Sequence, residues 1–418
     1  MAWAGPPSGS PTWNVLPRPS WISTRSCRRC VSSRVMDGPL LLYGDSYRFP
    51  DIYHLTRFLA PDAFITLEHA GEIVMLTNSL EQGRAEKESR ASRVRNVDEL
   101  GQRELSAQGV FGDDATATII ERLLREQGLT SCSVPRYFPM ALADRLRAKG
   151  LTLDVAADLD ERRRTKRPDE IEALEAAQRA TEDGWEAGVA ALRRAEIRAD
   201  GLLVLDGDVF TAERLRAIVE GALLDRGCIA ESTIIAPGTQ AADPHQIGTG
   251  PLRARVPIVM DIFPQDKRSR YYADMTRTVS RGEPSPEIVR MYDVVRRAQD
   301  AGIAALRPGI TGREVHELVE DIIFDAGYDT LRDGHKRRPD DPVVRGFIHG
   351  TGHGVGLEIH EAPSIGRSGT TPLRAGDVVT VEPGIYDPAI GGVRLEDMLV
   401  ITEEGSRDLT RAPRQLVI

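Results

Sequence analysis

Apolar and polar positions follow a strand-like pattern at the start of the ordered text and switch to a helical period soon after. From Pro39, Leu40-Leu41-Leu42-Tyr43 predicts a short strand and Tyr53 to Phe58 a helical turn. Ala63-Phe64-Ile65-Thr66-Leu67 and Glu72-Ile73-Val74-Met75-Leu76, joined through a glycine, predict a hairpin. Arg84 to Arg95 is charged and small-residued, which predicts a solvated loop or helix face. Helices expected at Ala115 to Glu126 and Met140 to Lys149 alternate with strands at Ser131 to Val134 and Leu151 to Val155. Such alternation implies an α/β layer with some parallel pairing. Asp160 to Arg167 reads as a boundary, because every position from Glu161 to Arg167 except Thr165 is charged. Pro168 then opens a long amphipathic helix, with Asp169 and Glu170 in the first turn where the helix dipole favours anions. Further helices are expected at Ala212 to Asp225, Pro286 to Ala305 and Thr311 to Ala326, the last begun by a Thr311-x-x-Glu314 capping box. Strands are expected at Val256 to Ile262, Tyr271 to Val279, Val378 to Glu382 and Val393 to Thr402. Because these elements are grouped rather than alternating, the second region reads as α+β.

With 418 residues the chain is too long for one ordinary core, and two domains are expected, over 36–160 and 165–418. A net charge of −9 argues against a general nucleic-acid binder. No stretch approaches the ~18 uncharged apolar residues of a membrane span. Four cysteines are too few and scattered for a disulfide framework, so reduced thiols and a cytoplasmic location are expected. Cys27 and Cys30 form a Cys-x-x-Cys pair without the second pair of a zinc ribbon or the βαβ context of a redox site. Residues 1–35 have no acidic residue and hold three of the four tryptophans. They lack a continuous apolar core for a secretory signal, and a disordered extension or sequence upstream of a start at Met36 is preferred over a transit peptide.

Candidate chemistry begins at Val256-Pro257-Ile258-Val259-Met260-Asp261-Ile262, an apolar strand holding a carboxylate near its end. Such a carboxylate is costly unless paired or bound to metal. Across the turn Asp266 to Arg270, symmetric pairing would set Asp274 opposite Asp261, with Cβ atoms ~4.5–5.5 Å apart. Carboxylates that close repel unless a cation lies between them, and two metals ~3.5–4 Å apart would suit. On these residues alone, a surface aspartate and a turn-flanking aspartate account for the pattern equally well. Gly346 to Glu361 holds three of the eight histidines, His349, His353 and His360, among glycines that allow close backbone approach. No Lys-Ser/Thr pair follows them, so they are not a phosphate cradle. Val378 to Val381 runs into Glu382, and strand alternation puts Arg394 and Glu396 on one face. An oxygen-rich donor set with one imidazole suits Mn²⁺ or Co²⁺ better than a thiolate site would.

Together these segments resemble the pita-bread metallopeptidases, in the Xaa-Pro aminopeptidase and prolidase branch, from Pro39 to the C-terminus. The carrying pattern is Asp261, Asp-x-Thr-Arg-Thr from Asp274, His-Gly-Thr-Gly-His-Gly from His349, Glu382-Pro-Gly and Arg394-x-Glu-Asp. The resemblance implies an α/β creatinase-like N-terminal domain and an α+β pita-bread catalytic domain. It implies two divalent metals, Mn²⁺ first, with Co²⁺ or Zn²⁺ as alternatives. Asp261, Asp274, His353, Glu382 and Glu396 would hold them, with Asp274 and Glu396 bridging. Glu382 would also act as general base, and His360 and His245 would stabilise the tetrahedral intermediate. His349 and Arg394 would shape the substrate end. The implied activity is Xaa-Pro aminopeptidase on short peptides, with Xaa-Pro dipeptidase as the alternative and a homodimer as the family habit. Creatinase-like chemistry without metal, methionine aminopeptidase and a non-catalytic peptide-binding scaffold are the rivals. Complete ligands oppose the first and last of these, and the domain before Asp160 opposes the second. The Asp261–Asp274 hairpin is two residues longer than the usual family version, an even number that preserves side-chain phase.

Overall fold

The computed structural model describes residues 38–157, 159–333 and 345–418. Residues 1–35, with Cys27 and Cys30, lie outside the described residues. Pro39–Ile418 forms one compact unit.

The first part is an α/β layer. Its strands β1 (Leu40–Gly44), β2 (Phe64–His69), β3 (Glu72–Thr77), β4 (Arg93–Asn96), β5 (Ser131–Val134) and β6 (Thr152–Val155) form one sheet in the order β4-β3-β2-β1-β5-β6. β1, β2 and β3 pair antiparallel, whereas β3–β4, β1–β5 and β5–β6 are parallel. Helix α1 (Pro50–Thr56) packs with one face of the layer, and Gly112–Glu126 and Met140–Ala148 build an apolar core on sheet residues such as Leu41, Leu67 and Leu76. The segment expected to be a loop or helix face is the helix Gln82–Glu88 followed by β4. This is a polar edge strand with one partner, and its composition matches that position.

At the expected boundary, Asp160 to Arg167, lies a short helix, α2 (Leu159–Arg164), and Arg163, Arg164 and Lys166 are buried. Arg164 pairs with Asp377, and Lys166 with Glu361, so the charged run forms a seam of ion pairs.

Beyond it lies an α+β region. The long helix Pro168–Arg194 packs on Ala212–Asp225, and Pro286–Ala305 on Gly312–Asp325. Thr311 caps the last of these with the expected capping box. Two antiparallel sheets carry the chemistry. One has three strands, Ile234–Pro237, Ile258–Ile262 and Met275–Val279. The other has five, with Gly352–Gly354, Val378–Val381 and Asp397–Ile401 neighbours at its centre. The expected strand Val393 to Thr402 is two strands, Gly391–Arg394 and Asp397–Ile401, belonging to different sheets. Leu395 and Glu396 span the break, with Glu396 N–H bonded to the Thr276 carbonyl at 3.0 Å. Tyr271 to Asp274 also lies outside the regular ladder, which begins at Met275. Among the described residues no helix is long and apolar enough to cross a membrane. Cys132 and Cys228 are buried free thiols in separate apolar clusters.

Candidate active site

Asp274, Glu382 and Glu396 stand where a strand begins, ends or breaks, while Asp261 sits within a strand, one position from its end. Asp261 lies in Ile258–Ile262, and its partner across the hairpin is Thr276, not Asp274. The ladder is centred one position further on than symmetric pairing about Asp266–Arg270 assumed, and the Gln265↔Tyr272 bridge keeps the same register. Asp274 is therefore Asp261's diagonal neighbour on the same sheet face, about 7–8 Å away between Cα atoms in such a pair. That spacing leaves more room for a cation between the carboxylates than direct opposition would.

His353 is the central residue of Gly352–Gly354. A Cβ on Gly352 would lie 2.0 Å from the Thr380 carbonyl oxygen, so glycine is what allows this strand to approach Val378–Val381. His353 Nδ1 faces the Gly354 carbonyl at 3.2 Å, which turns Nε2 toward Glu382 Oε1 at 3.2 Å and Asp274 Oδ2 at 3.6 Å. Glu382 follows its strand directly, and its N–H bonds the Thr351 carbonyl at 2.7 Å. Ligand atoms of Asp274, His353 and Glu396 all lie within 4.8 Å of one another.

Arg394 is buried and organises the opposite wall. Its Nη2 donates to Asp261 Oδ2 at 2.7 Å, Nε to Thr276 Oγ1 at 3.1 Å and Nη1 to Tyr386 Oη at 3.0 Å. Thr276 Oγ1 donates to Glu396 Oε2 at 2.8 Å. Tyr386 Oη and His349 Nε2 are 2.8 Å apart, and His349 Nδ1 faces the Gly350 carbonyl. A neutral His349 satisfies both contacts, accepting at Nε2 and donating from Nδ1, and burial pushes its pKa down as this requires. Sequence reasoning missed Tyr386 and Thr276. Thr276 was visible in principle, two positions from Asp274 and so on the same strand face. Tyr386 shows no such spacing; only the pairing of Gly384–Asp387 with Gly391–Arg394 brings it to Arg394.

Asp261, Asp274, His353, Glu382, Glu396, His245, His349, His360 and Arg394 all line one cavity of about 550 Å³. His245 and His360 are exposed, and the rings of His353 and His360 meet edge to face with centroids 4.3 Å apart.

The electrostatics are those of a cation site. Burial, with Glu396, Asp261 and Glu382 as neighbours, raises the Asp274 pKa well above the carboxylate range. Burial with Glu382 and Asp261 does the same to Glu396. Burial also pulls Glu382 upward, but the hydrogen bond and charge of His353 outweigh it and hold the carboxyl at about 2. Burial lowers His353, yet Glu382 more than reverses this and lifts it to about 9. Four carboxylates thus face one another with Arg394 and a protonated His353 as the nearby positive charges. Asp261 Oδ1 is buried without a hydrogen-bond partner. An orphaned carboxylate oxygen in such a set fits divalent metal, whose binding would displace the retained protons.

A family model described as metallopeptidase family M24 matches residues 172–403. An Xaa-Pro dipeptidase of Pyrococcus furiosus is 38% identical over 188 residues, 45% of this chain and 49% of that protein. A probable dipeptidase, PepE, of Mycobacterium bovis is 31% identical over 288 residues, 68% of each chain. The crystal structure of the prolidase from Pyrococcus horikoshii OT3 matches with a TM-score of 0.72 at 26% identity, covering 91% of this chain and 95% of that one. The chain spans about half the length of the curated relatives it matches at 37–40% identity.

Proposed function

The chain belongs to metallopeptidase family M24, and from that premise we propose that it is a dinuclear-metal exopeptidase cleaving the bond before proline in short peptides. The observation that carries this reading is the crowding of buried acids and His353 on one cavity. In it, Asp261, Asp274, His353, Glu382 and Glu396 hold the metals, and the oxygen-rich donor set favours Mn²⁺ over Co²⁺ or Zn²⁺. Residues 36–160 and 165–418 are the creatinase-like and pita-bread domains of this proposal, and a cytoplasmic homodimer its setting.

Bound divalent cations supply Lewis acidity, polarising the scissile carbonyl and making water acidic enough to lose a proton near neutral pH. Glu382 takes that proton as general base, its main chain anchored by the bond to Thr351. His360 and His245 donate to the developing oxyanion. His349, oriented by Tyr386, and Arg394 close the substrate end.

Relatives named Xaa-Pro dipeptidase favour Xaa-Pro dipeptides as substrates. Xaa-Pro aminopeptidase activity on longer peptides is the other specificity of the proposal, in a cavity of about 550 Å³ of the size that takes a small ligand. Hydrolysis of Ala-Pro, Ala-Pro-Ala and Ala-Ala-Ala by metal-stripped protein, with and without Mn²⁺, tests both. Cleavage of the proline peptides should need metal, and Glu382→Ala should lower kcat by about 10²- to 10⁴-fold. Preference for Ala-Pro selects the dipeptidase and preference for Ala-Pro-Ala the aminopeptidase. Metal binding without cleavage removes the proposed specificity, and failure to bind metal removes the proposal.

A further inference from the structure

The loop that presents His360 is gripped from behind by a buried cation of the charged seam. Gly354 pairs with Glu361, so residues 355–360 form the turn between two strands, with His360 at its end. Glu361, beside His360, has a side chain only 1% exposed. Its Oε2 accepts from Arg163 Nη1 at 3.0 Å and its Oε1 from Lys166 Nζ at 2.6 Å. Two positions before His360, Glu358 accepts from Arg163 Nη2. One guanidinium therefore holds the turn on both sides of the histidine. Gly356 makes room for this, since a Cβ there would meet Glu361 Oε1 at 2.2 Å.

Arg163 is itself fixed from the first part of the chain. It is 3% exposed, and its Nε lies 2.9 Å from Asp51 Oδ1 on α1, a buried charge contact held by attraction rather than by a directed hydrogen bond. A separate cavity of about 310 Å³, lined by Asp51, Tyr137, Arg163, Glu358 and His360 among others, lies at this junction. A buried ion pair is a weak stabiliser, because desolvation offsets much of its attraction. Five donors in a planar fork do, however, fix the relative geometry of several carboxylates at once.

We infer that Arg163, braced by Asp51, is a positioning residue that aims His360 into the active-site cavity. By this route the N-terminal third of the chain contributes to the reaction without touching substrate. The inference rests on the proposed role of His360. Its test is the kinetics of proline-peptide cleavage by Arg163→Met, Asp51→Asn and Glu358→Gln, each made in the wild-type and His360→Ala backgrounds. Arg163→Met should lower kcat by about ten- to a hundredfold, the scale of a small misplacement, with KM and metal content unchanged. In the His360→Ala background it should cause no further loss, since both changes then act through one group. Hydrogen exchange of metal-free protein should show faster amides at residues 355–361 in Arg163→Met and unchanged ones at Ile258–Ile262. If Arg163→Met does not fold, Asp51→Asn and Glu358→Gln should show the same pattern with smaller losses. Equal losses in both backgrounds, or unchanged exchange of the turn, would overturn the inference. If His360→Ala alone leaves activity intact, the catalytic assignment of His360 falls, while the exchange result still decides whether Arg163 holds the turn.

Discussion

His54 illustrates how surroundings set the charge of one group. It faces two oppositely charged neighbours, with Glu170 Oε1 3.5 Å and Arg167 Nη1 3.2 Å from Nε2. Burial, then Arg167 and Arg57, push its pKa down to about 3, so the ring is neutral and accepts from Arg167. Relative to an unfolded value of about 6.5, this contributes stability that is present above that pH and lost as pH falls toward 3. His54→Gln should therefore flatten the fall of Tm between about pH 6.5 and 4; an unchanged slope would contradict the neutral assignment. For Asp274, Glu396 and His353 the sign reverses: all three are raised, His353 to about 9, and above the range where Glu382 titrates they should cost the metal-free protein stability as pH rises from about 5 toward 9. Added Mn²⁺ should raise Tm most at the upper end, because ligands there no longer need to shed protons. Calorimetry across pH with and without metal checks this, and a pH-independent metal effect would refute it. At this scale the sequence displayed the acids and histidines, since each sits in a short motif of its own. Their hydroxyl partners were hidden, because Tyr386 meets His349 across 37 positions and Thr276 meets Glu396 across 120.

Regular elements were most legible where nothing chemical is asked of them. The helices Ala212–Asp225 and Pro286–Ala305 run over the residues their periodicity predicts. Thr311→Ala should cost about 1 kcal/mol by removing a capping box, lowering Tm by a few degrees without changing kcat. Strands near the site were predicted too long, as at Tyr271 to Asp274 and Leu395 to Glu396. Apolar alternation continues through those residues, but the backbone leaves the ladder there and releases Asp274 and Glu396 into the cavity. Close backbone approach was read correctly from the glycines, though not its target. Gly352→Ala would drive a methyl into the Thr380 carbonyl and displace the strand bearing His353. Weaker Mn²⁺ binding by titration, beyond any loss in Tm, is expected; wild-type affinity would show that the strand can shift without moving its ligand.

For the whole molecule, the charged run Glu161 to Arg167, expected as a boundary, is a buried seam whose partners the sequence did not display. A run of charge in a sequence says nothing of its partners, and here they lie some 200 positions away, at Asp377, which leads into the strand before Glu382, and at Glu361, beside His360. Arg164 and Asp377 are both 0% exposed, joined through Nε at 2.9 Å and Nη2 at 2.6 Å, with Arg164 also donating to the Pro372 carbonyl. Removing one member leaves a buried charge uncompensated, whereas removing both charges leaves only polar groups to resolve. Arg164→Met should therefore destabilise the protein by about 3–5 kcal/mol. Asp377→Asn still accepts from the Arg374 N–H, and combined with Arg164→Met it should recover part of that loss. Because the seam joins the first sheet's connector to Glu361 on an edge strand and to Asp377 just before a central strand of the five-stranded sheet, denaturant unfolding of the wild type should be a single transition. In Arg164→Met the midpoint should fall, and transitions followed by far-ultraviolet dichroism and by Trp185 fluorescence should separate if the seam is what makes the two parts unfold together. Trp185 lies in the core of the second region, so with Trp3, Trp13 and Trp21 replaced by phenylalanine the emission reports that part alone. Coincident transitions in the variant would place the coupling elsewhere, in contacts such as those of Arg57 with Asp169 and of Tyr271 with Glu170.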